Sequence, residues 1–270
     1  MDEAISSVLD QTLQEWELLL VDDGSTDGSS EKAKRYADIY PRQIRYFAHA
    51  GHGNLGQGVS RNLAIRHARG DYVAFLDVDD FWLPEKLENQ VHLLEAHPEA
   101  AMIYGPYFLW YSWSGHPEDL GRDIRSDFGN GIDAVVPAPM MLLRHIVHEE
   151  GLPAPSSAMV RRTVLEAIGG FESEFTGMYD DEACFTKITL NYPVFMTSDC
   201  WDRYRQHAGS FCARAIRDGL WDPNPKVPSP DRVRFLRWQL RYVETCSRVQ
   251  NRQLLEAIGQ KMSALGIQTQ

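Results

Sequence analysis

One short segment constrains the fold of this chain more than any other. Residues 70–80 read GDYVAFLDVDD: a glycine, an apolar run and then three aspartates within four positions. An apolar run of this length, bounded by a turn, predicts a strand that is buried on both faces. In open parallel α/β sheets, ligands bind just beyond the carboxyl ends of the strands. The pair Asp77 and Asp79 therefore predicts oxygen ligands for a hard divalent cation, and through it for a diphosphate.

A second strand end has the same character. A strand end capped by solvated acids is the alternative interpretation, and a lone Asp-Val-Asp-Asp would favour it. However, the apolar run at residues 16–21 also ends in acids, at Asp22 and Asp23. Helices are predicted at 1–12, 29–40, 57–68 and 85–97, with a further strand at 43–48 and a Gly-rich loop at 51–56. This alternation predicts an α/β fold with a doubly wound, mostly parallel sheet.

Composition limits the classes of partner. The chain has 270 residues, enough for one large domain or for one domain with a small appendage. Acidic residues outnumber basic ones by 38 to 27, and the formal net charge of −11 argues against a nucleic acid partner. The four cysteines have no zinc spacing, which predicts free buried thiols. No signal peptide and no membrane span is recognised, so we expect a cytoplasmic protein, with the inner membrane face as a possible peripheral location.

Several short motifs follow one another along the chain. They are VDDGSTD at 21–27, NLG at 54–56, RN at 61–62, GDY at 70–72, LDVDD at 76–80, SAMVRR at 157–162, GGF at 169–171, YDDE at 179–182 and YRQH at 204–207. Together they resemble a family 2 glycosyltransferase over residues 4–210. Each motif alone is weak, but the ordered set is specific. The resemblance implies the GT-A fold, a nucleotide-sugar donor and inversion of the anomeric centre.

The resemblance also implies which residues bind the donor. Asp23 would accept a hydrogen bond from the imide N–H of uracil, while Asp22, grouped with it in the donor site, would support the turn. Asn54 belongs to the same donor-binding set. Arg61 would lie beside the base or the diphosphate, where a fixed cation is useful. An ordinary surface arginine is an equally good interpretation of Arg61.

A metal site follows from the same resemblance. Asp79 would bind Mg²⁺ or Mn²⁺ directly, and Asp77 would meet the ribose hydroxyls or the metal shell. His207 would complete the metal or diphosphate site from the far side of the cleft. A lone histidine is more often structural, which is the alternative for His207.

The catalytic base is expected at the start of a helix. The acidic pair of the family maps onto Asp180 and Asp181, and the second position makes Asp181 the predicted general base. Successive residues of a helix point about 100° apart, so a slip of one residue would give the role to Asp180 or Glu182. Simple stabilisation of a helix N-terminus by three acids is the alternative.

The chain departs from the family at its beginning. Family members begin with an apolar strand of the Val-Ser-Val-Ile-Ile-Pro type, whereas this sequence starts where the following helix is expected. That strand lies inside the family's sheet, so its absence predicts an open slot beside the neighbouring strands and weaker donor binding.

We expect three regions along the chain. Residues 1–110 form the nucleotide-sugar-binding half, 111–222 form the acceptor-binding half of the same domain, and 223–270 form a linker and a helical tail. Aromatic residues near 110–113 could stack on a sugar or pack in the core. The tail has arginines between apolar residues, and such a basic amphipathic helix can lie on an anionic membrane, form a homodimer or pack back on the domain.

The function predicted from these motifs is inverting, metal-dependent glycosyl transfer of the hexosyltransferase type. The donor would be a nucleotide-sugar, with UDP as the favoured nucleotide, and the acceptor a carbohydrate or lipid-linked hydroxyl in glycan or polysaccharide synthesis. A catalytically degenerate relative that binds a nucleotide-sugar or a partner is the main alternative. An α/β nucleotidyltransferase would usually have a basic Gly-rich loop near its first strand, and none is found.

Overall fold

A computed structural model describes residues 1–126, 133–148, 153–246 and 252–268. Its helices are α1 (Asp2–Leu9), α2 (Ser29–Ile39), α3 (Gln57–His67), α4 (Lys86–Ala96), α5 (Met140–His148), α6 (Arg162–Ala167), α7 (Asp180–Asn191), α8 (Phe211–Arg217), α9 (Pro230–Cys246) and α10 (Arg252–Ala264). Its strands are β1 (Leu18–Asp22), β2 (Ile44–Ala48), β3 (Tyr72–Ala74), β4 (Phe81–Trp82), β5 (Met102–Tyr104), β6 (Phe108–Trp110), β7 (Ile124–Arg125), β8 (Ala134–Val136), β9 (Met159–Arg161), β10 (Val194–Met196) and β11 (Asp202–Arg205).

The strands form three sheets. β1 and β2 pair in parallel, a five-stranded sheet has the order β3-β9-β5-β10-β8, and a four-stranded sheet has the order β4-β11-β6-β7. The predicted α/β class is confirmed, but the strand directions are mixed rather than mostly parallel. In the five-stranded sheet β9 lies between β3 and β5 and runs antiparallel to both, and β8 is antiparallel to β10. In the four-stranded sheet β4 and β7 are each antiparallel to their neighbour.

The strand before the aspartates is less buried than the sequence indicates. β3 is an edge strand of the five-stranded sheet, and Tyr72–Ala74 is half-buried along its length. The expected burial on both faces is therefore wrong for the strand itself, and only Phe75, just beyond it, is fully buried. Within the described residues, β3 pairs with β9 alone and β1 pairs with β2 alone.

The sequence also suggests single strands near 101–110 and at 193–204, and the structure divides each of these stretches between two sheets. The apolar stretch at 101–110 forms β5 in one sheet and β6 in another, and the stretch at 193–204 divides into β10 and β11 in the same way. These two segments of the chain approach closely at Gly105, where a Cβ atom would lie 2.4 Å from the carbonyl oxygen of Asp199. After β10 the chain thereby leaves the five-stranded sheet, which we call the main sheet, and enters the four-stranded sheet as β11. β11 carries the YRQH motif to residues 76–80, which we call the aspartate loop.

The helical tail packs on the rest of the chain. Phe235, Leu236 and Trp238 on α9 are buried with residues of α5, α7 and α10 in one apolar cluster. The structure thus favours packing back on the domain over the two other possibilities for this helix. The predicted helical tail contains two helices, α9 and α10, and residues 247–251 between them lie outside the described residues.

The structure also bears on α8, on the cysteines and on possible membrane-spanning helices. α8 was not predicted from the sequence. Cys184 is buried as expected, Cys200 and Cys212 are half-buried, and the side chain of Cys246 lies outside the description. In the described part of the chain, no helix combines the length and apolar character that a membrane crossing requires. The boundaries proposed at 110 and 222 remain predictions.

Candidate active site

Asp22 is fully engaged in the turn that follows β1. Its Oδ1 accepts from the backbone N–H of Ser25 at 2.8 Å, and its Oδ2 accepts from the hydroxyls of Tyr46, at 2.8 Å, and Ser30. Burial alone would raise the pKa of Asp22, but these hydrogen bonds hold it well below its usual range. Asp22 therefore stabilises the turn, as the sequence suggested, with both oxygens bonded to its own chain.

Asp23 fixes the Gly-rich loop. Its two carboxylate oxygens accept from the backbone N–H groups of Leu55, at 2.7 Å, and Gly56, at 2.9 Å. The loop approaches the turn so closely that a Cβ atom on Gly24 would lie 2.8 Å from the backbone nitrogen of Asn54. Asn54 itself is exposed at the tip of this loop. The structure brings Asp23 and Asn54 together, and recognition of a base by Asp23 remains a prediction.

Arg61 joins two parts of the site that are far apart in sequence. One nitrogen of its guanidinium donates to Asp77 Oδ1 and another to Asp180 Oδ2, both at 2.8 Å. Its side chain is only 11% exposed, so it is not an ordinary surface arginine. Burial alone would lower the pKa of Arg61, but the charges of Asp77 and Asp180 raise it above its ordinary value.

Asp79 and His207 lie within hydrogen-bonding distance of each other. His207 Nε2 lies 3.0 Å from Asp79 Oδ2, and about a third of each side chain is exposed, at 27% and 32%. Arg205, two residues before His207, donates from Nε to the carbonyl oxygen of Asp79 at 2.7 Å. The structure therefore confirms that the YRQH and LDVDD motifs lie together.

These groups fit a cation that is shared with a diphosphate. Mg²⁺ is usually bound through one or two carboxylates, with phosphate oxygens and water supplying the other ligands. Asp79 and His207 offer an oxygen and a nitrogen at a partly open position, whereas Asp77 Oδ1 is already bonded to Arg61. Among the described residues no group of three or more His, Cys, Asp and Glu side chains could hold a metal ion unaided.

Asp80 is a site residue that the sequence did not single out. It is 1% exposed, accepts from the Ser156 hydroxyl at 2.6 Å and from the backbone N–H of Arg205 at 3.1 Å. Burial, together with the charge of Asp77, raises the pKa of Asp80 to about 8, so it is largely protonated at neutral pH. Asp80 therefore connects the aspartate loop to Ser156 and Arg205. Its only signal in the sequence is its place at the end of the LDVDD motif.

Arg205 was also missed as a site residue. Its guanidinium lies 4.6 Å from the ring centre of Trp110 and 4.7 Å from that of Trp113, and it pairs with Glu3 on α1. Trp110 and Trp113 therefore hold this arginine, although Trp113 stays 38% exposed beside His207. Stacking of these rings on a sugar remains a prediction.

Asp181 differs from its two acidic neighbours. Asp180 is paired with Arg61, and Glu182 Oε2 lies 3.5 Å from His145 Nε2. In the part of the chain that the structure describes, Asp181 has no such basic partner. Burial first, and then the charges of Asp180 and Glu182, raise the pKa of Asp181 to about 7. A carboxylate that changes protonation near neutral pH is suited to accept a proton, which favours Asp181 over its neighbours as the base.

Comparison with known sequences identifies proteins that this chain resembles. The family model described as Glycosyl transferase family 2 matches residues 1–169. The chain is 43% identical to the putative glycosyltransferase EpsE of Bacillus subtilis (strain 168) over 95 residues, which cover 35% of this chain and 34% of the relative. A relative from Escherichia coli, the UDP-Glc:alpha-D-GlcNAc-diphosphoundecaprenol beta-1,3-glucosyltransferase WfgD, is 36% identical over 104 residues, or 38% of this chain and 39% of the relative. The matched segments thus span little more than a third of these relatives.

Solved structures resemble the fold over nearly the whole chain. S. aureus TarS 1-349 in complex with UDP-GlcNAc has a TM-score of 0.69 and 16% identity, covering 97% of this chain and 68% of that chain. The mannosyltransferase PcManGT from Pyrobaculum calidifontis, in complex with GDP-Man and Mn²⁺, has a TM-score of 0.55 and 18% identity, covering 98% of this chain and 70% of that chain. At these identities the likeness concerns the fold alone, and it confirms the GT-A architecture.

Proposed function

The chain belongs to glycosyl transferase family 2, and from that premise we propose that it transfers a sugar from a nucleoside-diphosphate donor to an acceptor hydroxyl with inversion. The observation that carries this proposal is the double contact of Arg61. Its guanidinium links Asp77, in the aspartate loop, to Asp180, which precedes the favoured base Asp181. One fixed cation thereby connects the predicted donor site to the predicted acceptor site.

Asp23, Asn54 and Asp77 would contact the donor from loops, and Arg61 would contact it from α3. Each oxygen of Asp23 accepts one backbone N–H and keeps a second lone pair, which can accept the imide N–H of uracil. Asn54 would contact the nucleotide from the tip of the Gly-rich loop, and Arg61 and Asp77 would lie at the diphosphate and the ribose. Relatives and neighbours whose names include UDP-Glc and UDP-GlcNAc support a UDP-sugar as the donor.

Asp79 and His207, assisted by Asp77, would hold Mg²⁺ or Mn²⁺. When bound, the ion would offset the negative charge that develops on the departing nucleoside diphosphate. Support comes from the Mn²⁺ named with PcManGT and from the contact between Asp79 and His207. Arg205 donates to the Asp79 carbonyl oxygen, and Asp80 accepts from the backbone N–H of Arg205, so two further contacts hold the aspartate loop beside the YRQH segment.

Asp181 would act as the general base. Its carboxylate accepts the proton of the acceptor hydroxyl while that oxygen forms a bond to the anomeric carbon. The bond from this carbon to the diphosphate oxygen breaks, and its electron pair leaves with the nucleoside diphosphate on the opposite face, so the configuration inverts. A pKa of about 7 leaves a useful fraction of Asp181 ionised at neutral pH.

We propose that the acceptor is a carbohydrate or a lipid-linked sugar in glycan or polysaccharide synthesis, with residues 111–222 forming its side of the cleft. The name of WfgD includes a diphosphoundecaprenol-linked sugar, and TuaG of Bacillus subtilis (strain 168), 41% identical over 95 residues, is named for teichuronic acid biosynthesis. A lipid-linked acceptor would bring the protein to the membrane surface. Peripheral binding there, and not a membrane span, belongs to this proposal.

A panel of UDP- and GDP-sugars tests the proposal. One donor should raise the melting temperature in the presence of Mn²⁺ or Mg²⁺, and EDTA should remove the effect. Asp79→Ala should abolish metal-dependent binding of the nucleoside diphosphate in calorimetry and melt nearly as the wild type does. Binding of a donor without transfer to any acceptor, and without metal-dependent hydrolysis, would favour the non-catalytic binding module instead. Unchanged metal-dependent binding by Asp79→Ala would remove Asp79 from the site.

A further inference from the structure

The helix that carries the favoured base begins at a residue with unusual backbone geometry. Tyr179 precedes α7 and has φ of 70° and ψ of 8°. In the described ranges two other non-glycine residues have positive φ, His52 and Asp133, and both are types that tolerate it. A bulky tyrosine adopts this conformation only where the surrounding structure enforces it. The carbonyl oxygen of Tyr179 also accepts the first hydrogen bond of the helix, from Ala183 at 3.0 Å.

Two residues of the helical tail enforce the conformation of Tyr179. Its ring stacks on that of Phe235, with the ring centres 4.8 Å apart and the planes 12° from parallel. Its hydroxyl accepts a hydrogen bond from Arg232 Nε at 3.1 Å. Both partners belong to α9, and the tyrosine is only 7% exposed.

Arg232 is itself held in place by the segment that precedes α9. It is 7% exposed, and no carboxylate accepts its hydrogen bonds within the described residues. Instead its guanidinium donates to the carbonyl oxygens of Asp222, at 2.9 Å, Asn224, at 2.7 Å, and Val227. The Pro-rich segment before α9 is therefore not a free linker, because its carbonyl groups converge on this one side chain.

The start of α7 thus has two arginine contacts on adjacent residues. Arg61 from α3 holds Asp180, and Arg232 from α9 holds Tyr179. Asp181 comes next, and a rotation of the first turn would move its carboxylate around the helix axis, since successive residues point about 100° apart. We propose that Arg232 and Tyr179 are positioning residues for glycosyl transfer, which fix the first turn of α7 so that Asp181 faces the acceptor.

This inference rests on the proposed function, and it gives the helical tail a part in the reaction. Asp181 would be aligned through Arg232, which contacts Tyr179 across 53 positions, from an element for which the sequence alone left membrane contact, dimerisation and packing on the domain all open. Small displacements of a reacting group are costly, and about 1 Å can reduce a rate by about 100-fold.

Tyr179→Phe is the sharpest test, because it keeps the stacked ring and removes the oxygen that Arg232 contacts. Tyr36→Phe is the matched control, since it also removes one phenol hydrogen bond of 3.1 Å, which Tyr36 on α2 donates to Asp2 on α1. At a temperature below the melting point of each variant, Tyr179→Phe should lower kcat about 10-fold and leave the Kd of UDP within about twofold. Tyr36→Phe should change neither.

Arg232 provides a second set of variants. Arg232→Met should lower kcat more than Tyr179→Phe does, and Arg232→Lys, which keeps a donor and the charge, should restore part of the loss. Arg237→Met changes an exposed arginine of the same helix and should have no effect. If Arg232→Met fails to fold, the Tyr179→Phe and Arg232→Lys measurements still decide the question.

Amide hydrogen exchange separates this inference from the proposed function. Peptides that cover residues 178–186 should exchange faster in Tyr179→Phe than in the wild type or in Tyr36→Phe. If the wild type transfers no sugar, the proposed function fails, and unchanged exchange in Tyr179→Phe would overturn the positioning role independently. If transfer occurs, wild-type kcat in Tyr179→Phe, or a loss of UDP affinity equal to the loss of kcat, would also overturn it.

Discussion

Two aspartates, one in the turn after β1 and one at the start of α7, show how the surroundings give the same side chain different acid–base properties. Asp22, in the turn after β1, has both oxygens bonded to hydroxyl and amide groups, and its pKa is held well below the usual range. Asp181, in the first turn of α7, lies between two other acids, and burial with their charges raises its pKa to about 7. Where neighbouring environments separate the pKa values of two acids, the acids have separate roles.

The difference follows from what surrounds each carboxylate. Around Asp22 the sequence supplies serines, a tyrosine and a tight turn, which together stabilise the ionised form. At the start of α7 the acids outnumber the cations that reach them, because Arg61 pairs with Asp180 and leaves Asp181 without an ion pair among the described residues. The first environment stabilises the ionised carboxylate, and the second disfavours it, which suits the base role that we propose for Asp181.

The largest effect is expected from removing the base. Asp181→Asn keeps the shape of the side chain and removes its basicity, so transfer should slow by at least about 100-fold, the low end for loss of a general base. Binding of the donor should be unchanged in calorimetry. Glu182→Gln is the equivalent amide substitution and tests the register of the helix. A loss of transfer as large as in Asp181→Asn would give the base role to Glu182. A variant Asp181→Asn that binds the donor and transfers at nearly the wild-type rate would remove Asp181 from the mechanism.

How far the sequence predicted these two regions differs in an instructive way. On the donor side the acids of VDDGSTD bond to residues of their own turn, of β2 and of the Gly-rich loop. The sequence indicated this region through the acids at two strand ends and through the family resemblance. The α/β class and most helix boundaries on this side were predicted correctly because they depend on local patterns. What failed there was strand direction and burial, which depend on the neighbours in the sheet.

On the acceptor side the contacts that matter are long-range. Arg61 meets Asp180 across 119 positions, and Arg205 meets Asp79 across 126. No periodicity or spacing predicts such pairs, and the same holds for the contacts of Tyr179 with α9. Asp80 and Arg205 were overlooked because their role arises only when β11 leaves the main sheet beside the aspartate loop.

Arg61 is the residue that joins the two sides, so its removal should disturb both. Arg61→Met would leave Asp180 buried without a cation and Asp77 without its partner, and the free energy of unfolding should fall by about 3 kcal/mol, the low end for a broken buried pair because Asp77 is partly exposed. Lys32→Met breaks the exposed pair between Lys32 and Asp2, whose side chains are 48% and 58% exposed, and should change the free energy of unfolding far less, because solvent screens this pair. Urea denaturation measures both. Equal losses in the two variants would show that the Arg61 bridge does not hold the halves together.

A smaller loss of stability is expected on the donor side. Asp22→Asn removes the charge that three donors stabilise, and the free energy of unfolding at pH 7 should fall by about 2 kcal/mol. Because the pKa of Asp22 is lowered on folding, its stabilisation is present above the unfolded pKa and is lost as the pH falls through and below about 4. The difference between wild type and variant should therefore shrink in urea titrations below about pH 4. A pH-independent difference would mean that the charge of Asp22 is not what stabilises the turn.

The smallest effect concerns the pH dependence of transfer, and it tests the acceptor side directly. With a pKa of about 7, Asp181 is mostly protonated at pH 6 and mostly ionised at pH 8, so kcat should rise about 10-fold between these values. Glu182→Gln removes one of the charges that raise this pKa, and the rise in kcat should move to lower pH. Glu95→Gln, on the exposed face of α4, is the control and should leave the profile in place. A midpoint that stays at the same pH in Glu182→Gln would show that another group controls the profile, and the contrast between Asp22 and Asp181 would then lose its link to catalysis.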